Sequence, residues 1–182
     1  MSETLSSREQ ALKLLREQGC SAEVINHCKA VAELALETAT ILKDRGFQID
    51  FGLVEIGALL HDIGRSRTHS VHHAIIGAEI AKSLELPNAV TSIIERHVGG
   101  GITTEEAKKL GWPVKDYSPQ TWEEKIVCYA DKLIDGSKRV SIERTIREFS
   151  KKIPQSSIDG MQRLHEEFAS LIGDFDANRD TA

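Results

Sequence analysis

The sequence is poor in the residues that break or cross-link a chain. Four prolines in 182 residues leave long stretches uninterrupted, which excludes a proline-rich extended protein. Three cysteines, Cys20, Cys28 and Cys128, are odd in number and show no CxxC spacing. A chain of this length buries enough surface to fold without disulfides, so the thiols point to a reducing, cytoplasmic setting. Long apolar runs are missing. Pieces such as Gly57-Ala58-Leu59-Leu60 fall far short of the ~18 residues of a membrane span. The opening residues, MSETLSSREQ, have neither the basic nor the apolar region of a secretory signal. An excess of positive charge is missing too. With 23 basic and 28 acidic residues the net charge is −5, which disfavours an extended nucleic-acid surface.

What the chain does have is helical periodicity. Apolar residues make up 40% and charged residues 28%, the balance of a soluble globule. Helices are predicted at about 8–18, 22–45, 51–62, 71–85, 88–97, 103–110, 121–135, 139–150 and 157–174. Glycine or proline stops several of them: Gly19, Gly46, Pro87 and the triple glycine at 99–101. Residues 64–70 and 111–120 read as turn and loop. No strand pattern stands out. The expectation is a single all-α domain spanning 1–182.

Histidine is the second feature. Six of the seven histidines lie between 27 and 97. His27 shares the apolar stripe Val24, Val31, Leu34 of its helix and points inward. His61 and Asp62 close the apolar run EIGALL. Asp131 lies between Val127 and Ile134 on an inward stripe. An isolated buried carboxylate costs several kcal/mol or loses its charge. A divalent ion removes that cost, and imidazole with carboxylate is a natural ligand set for one. Each residue alone has a bland reading, as a hydrogen-bonded core histidine or a solvated acid. Together, two histidines and two aspartates from three helices supply four ligands to one ion.

The ordered set His27, His61-Asp62 and Asp131 resembles the H…HD…D signature of the HD superfamily of metal-dependent phosphohydrolases. The tetrapeptide His61-Asp62-Ile63-Gly64 matches its HDIG variant. The resemblance covers about residues 20–140 and implies a compact HD-type helical bundle, with the C-terminal helices packing on that core. It implies further that Asp62 bridges two ions and is the catalytic residue. His27, His61 and Asp131 would complete one site, and His73 and His97 would serve the second, with His72 the competitor of His73. The alternative is a single ion, with His73 and His97 facing the substrate. A histidine-rich set suits Mn²⁺, Fe²⁺, Co²⁺, Ni²⁺ or Zn²⁺ better than Mg²⁺.

Arg65, Arg67 and Lys132 flank the signature and are candidate phosphate contacts. Trp112 and Tyr117 either stack on a base or anchor their loop. No Walker loop, GxSxG elbow or HExxH motif is present. The GYP motif of the superfamily's cyclic-dinucleotide branch is absent as well. The resemblance implies hydrolysis of a phosphoester or phosphoanhydride in a nucleotide or small phosphorylated molecule. Two alternatives are a 2′,3′-cyclic phosphodiesterase on nucleotides or RNA ends, and a metal- and nucleotide-binding sensor without turnover. An apolar face on the C-terminal helices suits core packing or an oligomer equally.

Overall fold

The computed structural model describes residues 7–151 and 153–173. Its helices are α1 (Arg8–Glu17), α2 (Ala22–Asp44), α3 (Phe51–Leu60), α4 (His73–Ser83), α5 (Asn88–Arg96), α6 (Thr104–Leu110), α7 (Trp122–Lys132), α8 (Ile142–Phe149) and α9 (Gln155–Ile172). The expected helix at 157–174 begins two residues earlier, and its last residue and Phe175 lie outside the described residues. Hydroxyl and carboxylate caps set many of the starts. Ser7, Ser21, Asp50, Thr103, Thr121 and Ser141 each accept a hydrogen bond from the first turn of the helix they precede, satisfying N–H groups that have no intrahelical partner.

Two local features depart from the expectation. The helix predicted at 51–62 ends at Leu60, and Ile63–Ser66 form a tighter 3₁₀ turn. The helix predicted at 121–135 ends at Lys132. Two residues, Ile134–Asp135, then pair antiparallel with Lys138–Arg139 across Gly136, which has φ +60°. This hairpin (β1 and β2) is too short to show alternation, so only the glycine marks it.

Helix α2 is the central strut. It packs against α3, α7 and α9, and α4 pairs with α5 beside them. The core between them is aliphatic: Val31, Leu34, Leu42, Leu59, Leu60, Ile93, Ile94 and Ile126 are fully buried. Burial of a side chain of this kind stabilises by ~1.5–3 kcal/mol. A second, smaller cluster gathers Ala74, Ile102 and Ala107 around Trp112 and Tyr117. Helix α9 closes the structure through Phe168, which stacks on Tyr129 of α7 at 4.5 Å. Gly100 lies so close to Gly160 of α9 that a Cβ on it would stand 2.1 Å from the Gly160 carbonyl carbon. The triple-glycine loop therefore serves as a packing surface for α9. Among the described residues no helix is long and apolar enough to cross a membrane.

Candidate metal centre

Helix ends bring the candidate ligands together. His61 and His97 are the first residues past α3 and α5, and His73 opens α4. The last carbonyls of a helix have no intrahelical partner. Here they are used: His61 Nδ1 donates to Ala58 O at 2.6 Å, and His97 Nδ1 to Ile94 O at 2.7 Å. His73 Nδ1 donates to Ser70 O at 2.7 Å. His27 sits within α2 and finds its carbonyl far away in the sequence, at Gly136 O in the β1–β2 turn, 2.8 Å.

A carbonyl oxygen can only accept, so in all four rings Nδ1 carries the proton. In the neutral ring Nε2 is then a bare lone pair, and all four Nε2 atoms face the same carboxylates. His27 Nε2 lies 3.0 Å and His61 Nε2 3.4 Å from Asp131 Oδ1. Both also lie near Asp62 Oδ2, at 3.9 and 3.7 Å. The other oxygen of Asp62, Oδ1, faces His73 Nε2 at 3.1 Å and His97 Nε2 at 3.4 Å. The two rings of that second half bring their Nε2 atoms within 2.9 Å of each other.

This is a set of acceptors pointing at acceptors. His61 Nε2 and Asp62 Oδ1 are buried without a hydrogen-bond partner. Such an arrangement costs free energy unless a cation fills it. Two groups, His27 with His61 and Asp131, and His61 with Asp62 and His97, have ligand atoms close enough together to hold a metal ion. The protonation states fit. Burial pushes the His97 imidazole down to about 4, so the ring is neutral at pH 7. Burial opposes ionisation of Asp62, but the surrounding imidazoles, His61 foremost, outweigh it and hold the carboxyl well below its usual range. Burial also acts on Asp131, where the Lys132 ammonium and His27 prevail in the same direction. At His27 burial is outweighed by the Asp131 carboxylate, and its pKa is raised. The centre attracts positive charge.

The Gly64 position shows why HDIG ends in glycine here. A Cβ at Gly64 would lie 1.9 Å from His73 O. The 3₁₀ turn after Asp62 thus packs directly on the start of α4, which sets His73 against Asp62.

The flanking residues divide. Arg65 Nε donates to Asp62 Oδ2 at 2.6 Å and lines the cavity that opens from the centre. Lys132 is buried, paired with Asp131, and donates to His97 O at 2.9 Å. It spans the two halves from behind while also lining the cavity. Arg67 turns to Gln18 O at 2.8 Å and is not among the cavity-lining residues. Arg96 is held by Glu124 at 2.9 Å. His72 accepts from Trp112 Nε1 at 2.9 Å, so of the two adjacent histidines it is His73 that reaches the centre. Trp112 and Tyr117 are buried and anchor their loop. His165 bonds to Tyr129 OH. The three thiols are free and buried, and burial raises each of them. Sequence reasoning missed all four carbonyls that orient the rings, those of Ala58, Ser70, Ile94 and Gly136. Nothing marks an accepting carbonyl in a sequence, except that Ser70 stands three residues before its histidine as Ala58 and Ile94 do.

The model of the HD domain matches residues 24–135. The chain belongs to the HD domain family. An uncharacterised protein of Methanocaldococcus jannaschii is 48% identical over 90% of this chain and 98% of its own length. A tRNA (cytidine(56)-2′-O)-methyltransferase of Picrophilus torridus is 38% identical over 93% of this chain, which spans 48% of that enzyme's length. The HD domain of the L. monocytogenes phosphodiesterase PgpH, solved in complex with cyclic-di-AMP, superposes with a TM-score of 0.51 at 21% identity, covering 94% of this chain and 99% of that one. That likeness gives the HD fold.

Proposed function

We propose that this HD protein is a metal-dependent phosphohydrolase acting on a small phosphorylated molecule, with 1–182 working as one domain. The observation that carries the reading is the orientation of four Nε2 lone pairs toward both oxygens of one buried aspartate. Asp62 presents Oδ2 to the His27, His61 and Asp131 half and Oδ1 to the His73 and His97 half, so the donor set fits two divalent cations sharing Asp62. Imidazole-rich donors favour Mn²⁺, Fe²⁺, Co²⁺, Ni²⁺ or Zn²⁺ over Mg²⁺. Bound there, such cations supply Lewis acidity toward phosphoryl oxygens and lower the pKa of water.

The chain's own residues supply the rest. The backbone carbonyls fix each imidazole as the Nδ1–H form and so aim its Nε2 into the centre. Lys132 neutralises Asp131 Oδ2 and leaves Oδ1 toward the histidines. Arg65 lies at the cavity wall with its guanidinium plane beside Asp62, where a fork of donors can meet a phosphate. Elemental analysis of protein purified without chelator tests the reading. Close to two transition-metal ions per chain are expected, falling to about one in His73→Ala/His97→Ala. No bound ion, even after incubation with Mn²⁺ or Fe²⁺, overturns it.

A second reading, a 2′,3′-cyclic phosphodiesterase on RNA ends, draws on one observation: a relative of this chain makes up about half of a tRNA methyltransferase. The net charge of −5 restricts it to a short end. Turnover of a 2′,3′-cyclic nucleotide in preference to its monoester decides for it.

A further inference from the structure

The cavity that opens from the ligand centre has a volume of about 550 Å³, within the usual small-molecule range. Its far side is apolar. Ile102 and Leu110 contribute one apolar stretch of the lining, and Phe149, Ile153, Pro154 and Met161 a second. The second stretch comes from the end of α8 and the start of α9, beyond the 24–135 family match. Phe149 is 40% exposed, one of two large hydrophobic residues so exposed among those described, and it borders the cavity.

Charge limits what fits. Outside the ligand cluster the lining holds Arg65, Lys109 and Lys132 against Glu106, Asp135 and Glu148; Lys132 is paired with Asp131, and Asp135 and Glu148 with Arg144. Arg65 is engaged with Asp62. Glu106 is a fully bonded carboxylate, accepting from Thr103, Ser156 and Ser157. Beyond those pairs the rim carries no excess of positive charge to meet a polyphosphate tail. A single phosphate at the centre leaves the rest of the molecule against the apolar wall, because both line one continuous cavity.

We propose that the wall from Phe149 to Met161 selects substrates that carry one phosphate group on an uncharged, apolar body, and disfavours polyphosphates. This rests on the hydrolase reading for turnover but not for binding.

Calorimetric titration of the metal-loaded full chain tests it, using 1-naphthyl phosphate, glycerol 3-phosphate and tripolyphosphate. The naphthyl ester is expected to bind at least about tenfold more tightly than the glycerol ester, the scale of a hydrophobic pocket's discrimination. Phe149→Ala and Ile153→Ala should each reduce that ratio several-fold, and Phe149, being partly exposed, can be truncated without unfolding the chain. Equal affinity for the two esters overturns the proposal. So does tightest binding of tripolyphosphate, or an unchanged ratio in both variants. Release of phosphate is followed on the same samples. Selective binding of the naphthyl ester with no release would sink the hydrolase reading and leave the wall's role standing.

Discussion

At the ligand centre every imidazole is pinned from behind by a backbone carbonyl at 2.6–2.8 Å, and His61 and Asp62 are almost wholly buried. In the same cavity, Phe149 is exposed and Ile153 half-buried, and Pro154, just before α9, gives that helix no side-chain cap. The difference matches the physics each region serves. Ligands must be held to within ~0.5 Å for a metal to be bound and to work, and that requires directional bonds on rigid helix ends. An apolar wall acts through area, which is not directional and tolerates looser construction. Precision is concentrated where charge is handled. Changes to the centre should therefore be severe and changes to the wall mild.

The largest expected effect is that of Asp62→Asn. It removes the one carboxylate that faces both halves of the centre. Phosphate release should fall to background and the ion count should drop, while the circular dichroism spectrum stays that of a helical fold. Retained turnover would place the chemistry elsewhere. Next comes Lys132→Met. Removing one partner of a buried ion pair typically costs about 3–5 kcal/mol, and loss of a supporting group typically weakens metal affinity about 10–100-fold. The loss of Tm should be greater in metal-loaded protein than in chelated protein, because weaker metal affinity removes part of the stabilisation that the bound ion adds. Equal losses in the two states would show that Lys132 acts on stability alone.

Gly64→Ala should be smaller and local. The new Cβ would meet backbone at His73 O, which cannot swing aside like a side chain. Overpacking of this kind costs about 1–3 kcal/mol. The start of α4 must move and carry His73 with it. Elemental analysis should therefore show loss of the second ion before the first, and a thermal melt should show a lowered Tm. Two ions retained at wild-type Tm would break the link between the HDIG glycine and the centre.

These residues were unequally legible in the sequence. His27, Asp131 and the helices that carry them follow from a 3.6-residue period, which is local information. The order His27, His61-Asp62, Asp131 also carried the family resemblance. Three of the four carbonyl anchors are local as well, standing three residues before their histidines. The fourth, Gly136, is 109 residues from His27 and belongs to a hairpin of two residues per strand, so no window of sequence shows it. The same limit applies to Arg67 and Arg96. Both flank ligands in the chain, yet Gln18 and Glu124 claim their side chains. The cavity wall is less legible still, since Ile102 and Met161 line one cavity only after α9 has docked on the triple-glycine loop.

The mildest effect is expected at the joint between the two regions. Glu106, in α6, accepts hydrogen bonds from Ser156 and Ser157 at the start of α9 and from Thr103. Burial acts to raise its pKa, but those bonds outweigh it and the folded value lies below the ordinary one. A depressed carboxyl contributes stability above its unfolded pKa and loses it as pH falls through the folded one. Glu106→Gln keeps a similar shape without the charge. At neutral pH the wild type should therefore melt at a slightly higher temperature than the variant. The gap should close as the pH is lowered below the ordinary glutamate range, because the wild-type carboxyl then takes up its proton while glutamine has none to take. Metal content should be unchanged, since no ligand touches Glu106. A gap that stays constant down to pH 3 would show that the α6–α9 joint depends on the shape of the side chain and owes nothing to its charge.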